Sequence, residues 1–192
     1  MSVPFDTPAA RRTKFFVRAR RVVCAGIIVV VLACGSVSML ARPVLPQLPK
    51  DVQADRVLIE KSAHRLTLYA AGQVLAVYPV SLGRGGAGPK TREGDRLTPE
   101  GVYKISGRNP QSAYHLSLRI SYPDEADKKR AAAAGVNPGS DIMIHGIRNG
   151  FGWLGILHRY ADWTQGCIAL TNPEIAQLWR AVPDGTVVDI RP

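Results

Sequence analysis

Apolar and polar residues follow one another in short runs along most of the chain after residue 55. A period of two places one side of a run against a core and the other toward solvent, which is typical of β-strands. Gly72 separates two of the runs and predicts a hairpin turn. The pattern predicts strands at residues 57–59, 66–69, 74–80, 102–105, 115–120, 141–145 and 186–190.

Two segments have the features of helix starts. Asp124 opens a polar, alanine-rich run that reaches residue 134, and Gly135 follows it as a stop. Further on, Asn172 is placed as an N-cap with Pro173 at the first helical position. The second helix therefore begins near Pro173.

Two glycine-rich stretches separate the predicted elements. Residues 83–94 predict a loop, and residues 151–155 combine glycine with Phe and Trp in a second, covering loop. Strands outnumber helices and no internal repeat is present. The sequence therefore predicts one β-rich α+β domain.

Charge is concentrated at the N-terminus. The chain carries a net charge of +10, yet residues 1–50 hold eight of the 25 Lys and Arg residues and only one acidic residue, Asp6. Residues 51–192 show no basic stripe with interleaved aromatic residues, so we expect no nucleic-acid partner.

The basic N-terminus indicates export. Residues 1–21 form a basic cytoplasmic segment, residues 22–41 an uncharged apolar run, and residues 42–52 a proline-rich spacer ahead of a domain at 53–192. Positive charge before the apolar run sends the following residues across the membrane. Three fates remain open: an inner-membrane anchor with the domain on the periplasmic face, a cleaved signal that releases it into the periplasm, or a lipoprotein start at Cys34.

The positions of the three cysteines limit the chemistry that the exported part can perform. Cys24 and Cys34 lie in the apolar run and only Cys167 lies beyond it, so the exported part cannot form an internal disulfide. A lone thiol in an oxidising compartment is either buried or used. Gly166 before Cys167 lets a substrate carbonyl approach the backbone, where the N–H of Cys167 could stabilise an oxyanion. A small buried hydrophobe is the alternative reading.

A cysteine nucleophile needs an imidazole base. His145 ends an apolar run and precedes Gly146, as active-site residues at the rim of a sheet do, although a core histidine fits too. His158 is the rival base, inside the covering-loop region. We expect no metal and no cofactor, because no His, Cys, Asp or Glu cluster has zinc spacing and no phosphate-binding fingerprint is present.

These residues resemble the L,D-transpeptidase catalytic domain, a family of bacterial cell-wall cysteine enzymes. The resemblance covers about residues 55–191 and implies a mixed, sandwich-like β-sheet with few short helices. It rests on the blocks 66–69 with Gly72, 78–83, 98–101, 144–146 and 164–168, on Asn172, and on 185–188.

Two positions depart from the family pattern. Gln165 replaces a histidine and Ala169 replaces an arginine. The family base maps onto His145, so the first change leaves the base in place, whereas the second bears on the usual substrate contacts. Residues 162–170 and 116–123 look instead like a Gram-negative branch, in which some members resemble hydrolases that release a wall-bound lipoprotein.

The resemblance implies an acyl transferase that acts on peptidoglycan stem peptides through a thioester, in cell-wall biogenesis and cell shape. The alternatives are a hydrolase that cleaves peptidoglycan–peptide or peptidoglycan–lipoprotein links and a non-catalytic wall-binding module. The family base maps onto His145 and the nucleophile onto Cys167. Candidates for oxyanion or backbone support are Gly166, Gly146 and Thr164, and candidates for substrate contact are Trp163, Gln165, Tyr122 and Arg148.

Overall fold

A computed structural model describes residues 48–192. The predicted segments 1–21 and 22–41, with Cys24 and Cys34, and most of the spacer lie outside the described residues. Within 48–192, no helix combines the length and apolar character needed to cross a membrane.

Eight strands and three short helices make up this part of the chain. The strands are β1 Arg56–Glu60, β2 Arg65–Ala70, β3 Gln73–Pro79, β4 Gly101–Ser112, β5 His115–Ile120, β6 Met143–His145, β7 Ile168–Ala169 and β8 Val187–Arg191. The helices are α1 Glu125–Ala133, a 3-10 segment at Gly152–Tyr160, and α2 Asn172–Ala181. The β-rich α+β prediction is confirmed.

The strands form one mixed sheet in the order β3-β2-β1-β8-β4-β5-β6-β7. The pairs β1–β8 and β6–β7 are parallel and the other neighbours are antiparallel. Just after β3, Ser81 pairs with Ala169 of β7 and Gly83 pairs with Thr164. These two bridges bring the opposite edges of the sheet together, which gives the sheet its closed, sandwich-like form.

The core lies between the sheet and α2. Leu118 of β5 and Ile144 of β6 are fully buried, as are Ile175 and Leu178 of α2. Each such side chain stabilises the fold by roughly 1.5–3 kcal/mol relative to an exposed one. Leu118 and Ile144 fix β5 and β6 against this core. The alternate residues of the same two strands, among them His145, therefore point to the other face of the sheet.

Several predicted elements differ in extent from the observed ones. The strand expected at 141–145 begins only at Met143, because Asp141 has a left-handed backbone with φ of 58°. The covering loop at 151–155 is part of the 3-10 segment, and the two-residue β7 was not predicted. The first helix agrees with prediction, with Asp124 as its N-cap in a capping box with Asp127.

The N-cap of α2 is a correction. Thr171, not Asn172, occupies the cap, and its backbone N–H donates to the carboxylate of Glu174 at 3.0 Å. Pro173 still lies in the first turn. Sequence spacing cannot distinguish two adjacent capping residues, so the side chain of Asn172 is left for another partner.

The glycine-rich loop after β3 is held by two buried lysines. The ammonium of Lys61 donates to the carbonyls of Gly88 and Thr98 and pairs with Glu100. Lys90 pairs with Asp95 at 2.7 Å. Burial alone would raise the pKa of Asp95, but the bonds from Lys90 and from backbone N–H groups outweigh it and lower that pKa to about 2. Buried charges therefore anchor this loop to the rest of the domain.

Candidate active site

Cys167 and His145 line one cleft. His145 ends β6 and Cys167 immediately precedes β7, and these two strands pair in parallel, with Ile144 opposite Ile168. Neighbouring parallel strands thus carry the two residues to the same rim. The cleft has a volume of about 280 Å³, and its walls are Ser112, Tyr114, Asp141, Met143, His145, Trp163, Thr164, Gln165 and Cys167.

His145 is oriented as a base. It is only 5% exposed, and its Nδ1 lies 2.7 Å from the carbonyl oxygen of Gly146. A carbonyl only accepts hydrogen bonds, so Nδ1 carries the proton and Nε2 holds the free electron pair. Burial lowers the pKa of His145 below its usual 6.5, and the bond to Gly146 offsets only part of this effect. The imidazole is therefore neutral near pH 7.

Cys167 is a thiol in the resting protein. Burial raises its pKa above the usual value of about 9, while a backbone hydrogen bond from Met143 acts in the opposite direction. The charge of Asp141 also raises this pKa and that of Lys90 lowers it. The thiol Sγ lies 3.7 Å from the carbonyl oxygen of Asp141. A neutral thiol that shares a cleft with a neutral imidazole needs general-base help to become a nucleophile.

Thr164 shapes the turn that presents the thiol. Its Oγ1 donates to the carbonyl of Cys167 at 2.7 Å and accepts from the N–H of Gly166 at 3.1 Å. Its backbone is bonded to Leu82 and Arg84 at 3.1 Å each. The threonine thus closes the turn from within and ties it to the segment after β3.

Two glycines are required by close approach. Gly166 has φ of 126°, and a Cβ there would lie 2.6 Å from the carbonyl oxygen of Leu97. A Cβ on Gly146 would lie 2.8 Å from Oδ1 of Asn172 and 2.9 Å from the carbonyl oxygen of Tyr114. All three distances are too short for a real Cβ, so any larger residue would displace the turn before Cys167 or the segment after His145.

Asn172 supports the base segment, a role that the sequence did not reveal. Its Oδ1 accepts from the N–H of Ile147 at 2.9 Å, beside the close approach to Gly146. The sequence pattern predicts Asn172 as an N-cap, and an Asn at a helix start can either cap the helix or bind a distant segment. The only sign of the second role is that Asn172 is one of the residues on which the family resemblance rests.

His158, the rival candidate for the base, does not line the cleft that holds Cys167. It is buried away from the cleft, and its Nδ1 accepts from the indole N–H of Trp163 at 3.3 Å. Burial, aided by the charge of Arg159, lowers the pKa of His158 to about 4. Trp163 in turn packs edge-on against His145, with ring centroids 5.7 Å apart. His158 therefore orients a wall of the cleft.

The remaining candidates divide by position. Gln165 lines the cleft, and with its amide oxygen turned toward Arg84 it accepts from that guanidinium at 2.7 Å. Tyr122 lies in the core, 5% exposed, with its hydroxyl donating to the carbonyl of Pro138 at 2.8 Å. Arg148 lines a separate apolar hollow with Trp163. The structure thus brings Gln165 to the same cleft as Cys167, whereas Tyr122 and Arg148 do not line that cleft.

Another polar contact holds the loop before Trp163. Asp162 accepts from the backbone N–H of Leu82 at 2.7 Å and pairs with His64 at 2.9 Å. His64 is thus a support for the loop beside the cleft. In residues 48–192 no three His, Cys, Asp or Glu side chains are grouped closely enough to hold a metal ion.

Comparison with known proteins agrees with this geometry. Residues 54–190 match the model of the L,D-transpeptidase catalytic domain. YafK of Escherichia coli K12, named as an L,D-transpeptidase, is 29% identical over 159 residues, which cover 78% of this chain and 56% of YafK. YcfS of the same strain, also named as an L,D-transpeptidase, is 30% identical over 165 residues, or 80% of this chain and 48% of YcfS.

Solved structures agree in fold. The helical cell shape determining protein Pgp2 of Campylobacter jejuni superimposes with a TM-score of 0.57 and 25% identity, covering 80% of this chain and 53% of Pgp2. The chain spans about half the length of these relatives. The family match over most of the described residues, together with a Cys and a His at one cleft, leads to one conclusion: this chain belongs to the L,D-transpeptidase catalytic-domain family.

Proposed function

We propose that the protein is a cysteine acyl transferase that remodels peptidoglycan stem peptides. The observation that carries this proposal is the placement of Cys167 and His145 in one cleft, with Nε2 of His145 free to accept a proton. Membership of the L,D-transpeptidase family supports the choice of cell-wall peptides as substrates. The reaction as proposed requires no metal and no cofactor.

The first half of the reaction forms a thioester. Nε2 of His145 takes the thiol proton while Sγ of Cys167 attacks the carbonyl carbon of the third stem residue. The family resemblance implies that this residue is meso-diaminopimelate. The N–H of Cys167 stabilises the oxyanion, since the N–H of Gly166 is already bonded to Thr164. The C–N bond then breaks, and the imidazolium returns the proton to the departing amine.

The second half releases the acyl group. An acceptor amine gives up a proton to His145 and attacks the thioester, the C–S bond breaks, and the thiol is restored. Such an acceptor yields a cross-link or attaches a protein to the wall. Water in the same place would make the enzyme a hydrolase of peptidoglycan–peptide or peptidoglycan–lipoprotein links.

One observation favours keeping hydrolysis as the second candidate. The position of the family arginine holds Ala169, which is fully buried and paired with Ser81, so it offers no polar group to a substrate. With fewer contacts to hold an acceptor, water competes better for the thioester.

The decisive experiment is a product assay on the exported part of the chain. We expect incubation with a stem tetrapeptide to give an acyl-enzyme on Cys167, detected by intact mass, and loss of the terminal residue. Added amine acceptor should then appear in a new amide. Release of the free acid at the same rate with and without acceptor would identify the hydrolase, and no acyl-enzyme with any wall peptide would support the non-catalytic binding module.

The proposed site of action is the periplasmic face of the inner membrane. The basic residues 1–21 and the apolar run 22–41 support an anchor, and a cleaved signal or a lipid-modified Cys34 are the other exported forms. Membrane fractionation and intact mass of the native protein should show the full-length chain in the inner membrane. A product starting after residue 38 or 41 would indicate cleavage, and full-length cytosolic protein would contradict export.

A further inference from the structure

A polar groove continues the cleft across the open face of β4, β5 and β6. It has a volume of about 180 Å³ and shares Met143 with the catalytic cleft. The other residues around it are Ser106, Gly107, Arg108, Asn109, Ser117 and Arg119. The two cavities are therefore neighbours along one strand face.

Strand register explains why the groove and the base share this face. His145 lies opposite Ser117 and Met143 lies opposite Arg119 in the β5–β6 pair. Alternate residues of a strand point to the same side, so all four face away from the core that buries Leu118. Arg119 is thus the diagonal neighbour of His145, a separation of about 7–8 Å between backbone positions.

The irregular part of β4 opens the space around Arg119. The β4–β5 register shifts between Ile105 and Gly107, which places Gly107 opposite Arg119. A Cβ at Gly107 would meet no atom within 4 Å. Gly107 therefore leaves open space next to the side chain of Arg119.

The two arginines around the groove have different partners, and Arg108, which lies opposite Leu118, reaches its partners on the α2 side of the sheet. Arg108 donates to Asp184 at 2.8 Å and to the carbonyl of Trp179 at 2.7 Å. These bonds hold its guanidinium within the protein, so it is not the group that binds a ligand. Arg119 pairs with Asp141 at 3.2 Å, and both side chains are more than half exposed, at 56% and 57%. An exposed pair of this kind is weak, so a ligand carboxylate can replace Asp141.

We propose that Arg119 binds a free carboxylate of the peptide substrate and selects peptides that carry it. This inference rests on the proposed function and names the chemistry of one subsite. An extended peptide advances about 3.3 Å per residue, so two residues span about the 7–8 Å between the backbones of His145 and Arg119. A carboxylate about two residues from the scissile carbonyl is therefore the group that this arginine would meet. Guanidinium binds carboxylate through two parallel N–H donors. In the free protein the carboxylate of Asp141 takes the position of the ligand carboxylate on Arg119. The backbone carbonyl of the same residue lies near Sγ of Cys167, so this position is close to the nucleophile.

The test uses Arg119→Gln in the full exported domain, with Arg180→Gln as the matched control. Arg180 is exposed on α2, the helix packed on the opposite face of the sheet. Substrates are a stem tetrapeptide and forms of it in which each free carboxyl is amidated in turn. For the wild type, we expect one amidated form to have kcat/KM lower by about tenfold, the usual scale for a charged hydrogen bond.

In Arg119→Gln the unmodified peptide should lose about the same factor, mainly through KM, and its preference over that amidated form should vanish. Arg180→Gln should keep the wild-type preference. Asp141→Asn, which suits a left-handed backbone, should increase the preference by removing the competing carboxylate.

Two results would overturn the assignment. One is a preference in Arg119→Gln equal to that of the wild type, including the case in which every form of the peptide loses activity by the same factor, and the other is a smaller preference in Asp141→Asn. Failure of the proposed function is a separate outcome, because the wild type would then form no acyl-enzyme with any of these peptides.

Discussion

Cys167→Ala should lower turnover of stem peptides by at least about 10³-fold, the scale seen when an essential nucleophile is removed. The acyl-enzyme should also disappear from the intact-mass spectrum. The side chain is small and its hydrogen bond to the carbonyl of Asp141 is a long one at 3.7 Å, so the fold should lose little. Single-turnover kinetics with a labelled tetrapeptide measures the first effect, and thermal unfolding measures the second.

Cys167→Ser is the matched control for shape. It keeps a hydroxyl in the place of the thiol, yet a hydroxyl is far less easily ionised, so turnover should again fall by orders of magnitude. Both variants should still bind the peptide. Turnover close to that of the wild type in Cys167→Ala would show that another group attacks the carbonyl.

His145→Ala should lower kcat by about 10²–10⁴-fold near neutral pH, the usual contribution of a general base. The loss should shrink as pH rises toward the raised pKa of Cys167, because hydroxide then forms the thiolate without the imidazole. In the wild type, activity should fall on acidification only below pH 6.5, since burial lowers the pKa of His145 and the base stays neutral above that point. A pH profile of kcat/KM for both proteins measures these effects.

His158→Ala is the control for that experiment. His158 holds the indole of Trp163 and does not line the cleft, so its loss should cost less activity and should leave the acid limb of the profile in place. The assignment of the base would be wrong if His158→Ala removed that limb while His145→Ala kept it.

Local chemistry was enough to single out the two residues, Cys167 and His145, that the structure brings to one cleft. Cys167 was the one thiol beyond the apolar run, and His145 ended a run of apolar residues, so each carried a signal in its own neighbourhood. The hairpin at Gly72 and the first helix were predictable for the same reason, because a turn glycine, strand alternation and the Asp124 cap act over a few residues.

Supporting residues were harder to predict because their partners are distant in sequence. Asn172 contacts Ile147 from 25 residues away, and Lys61 donates to the carbonyl of Thr98 from 37 residues away, yet neither spacing leaves a pattern. Tyr122 was expected at the substrate and is buried on Pro138, since an aromatic residue serves a core or a cleft equally well.

The amino-acid sequence by itself determined the β-rich α+β class, the resemblance to a cell-wall cysteine enzyme and the pair Cys167 and His145, because these depend on local patterns and on short motifs. Only the tertiary structure decided that the edges of the sheet meet through Ser81 and Ala169, that His158 supports Trp163, and that Arg119 shares a face with His145. Each of these depends on strand order and register, which pair residues far apart in the chain and leave no local trace.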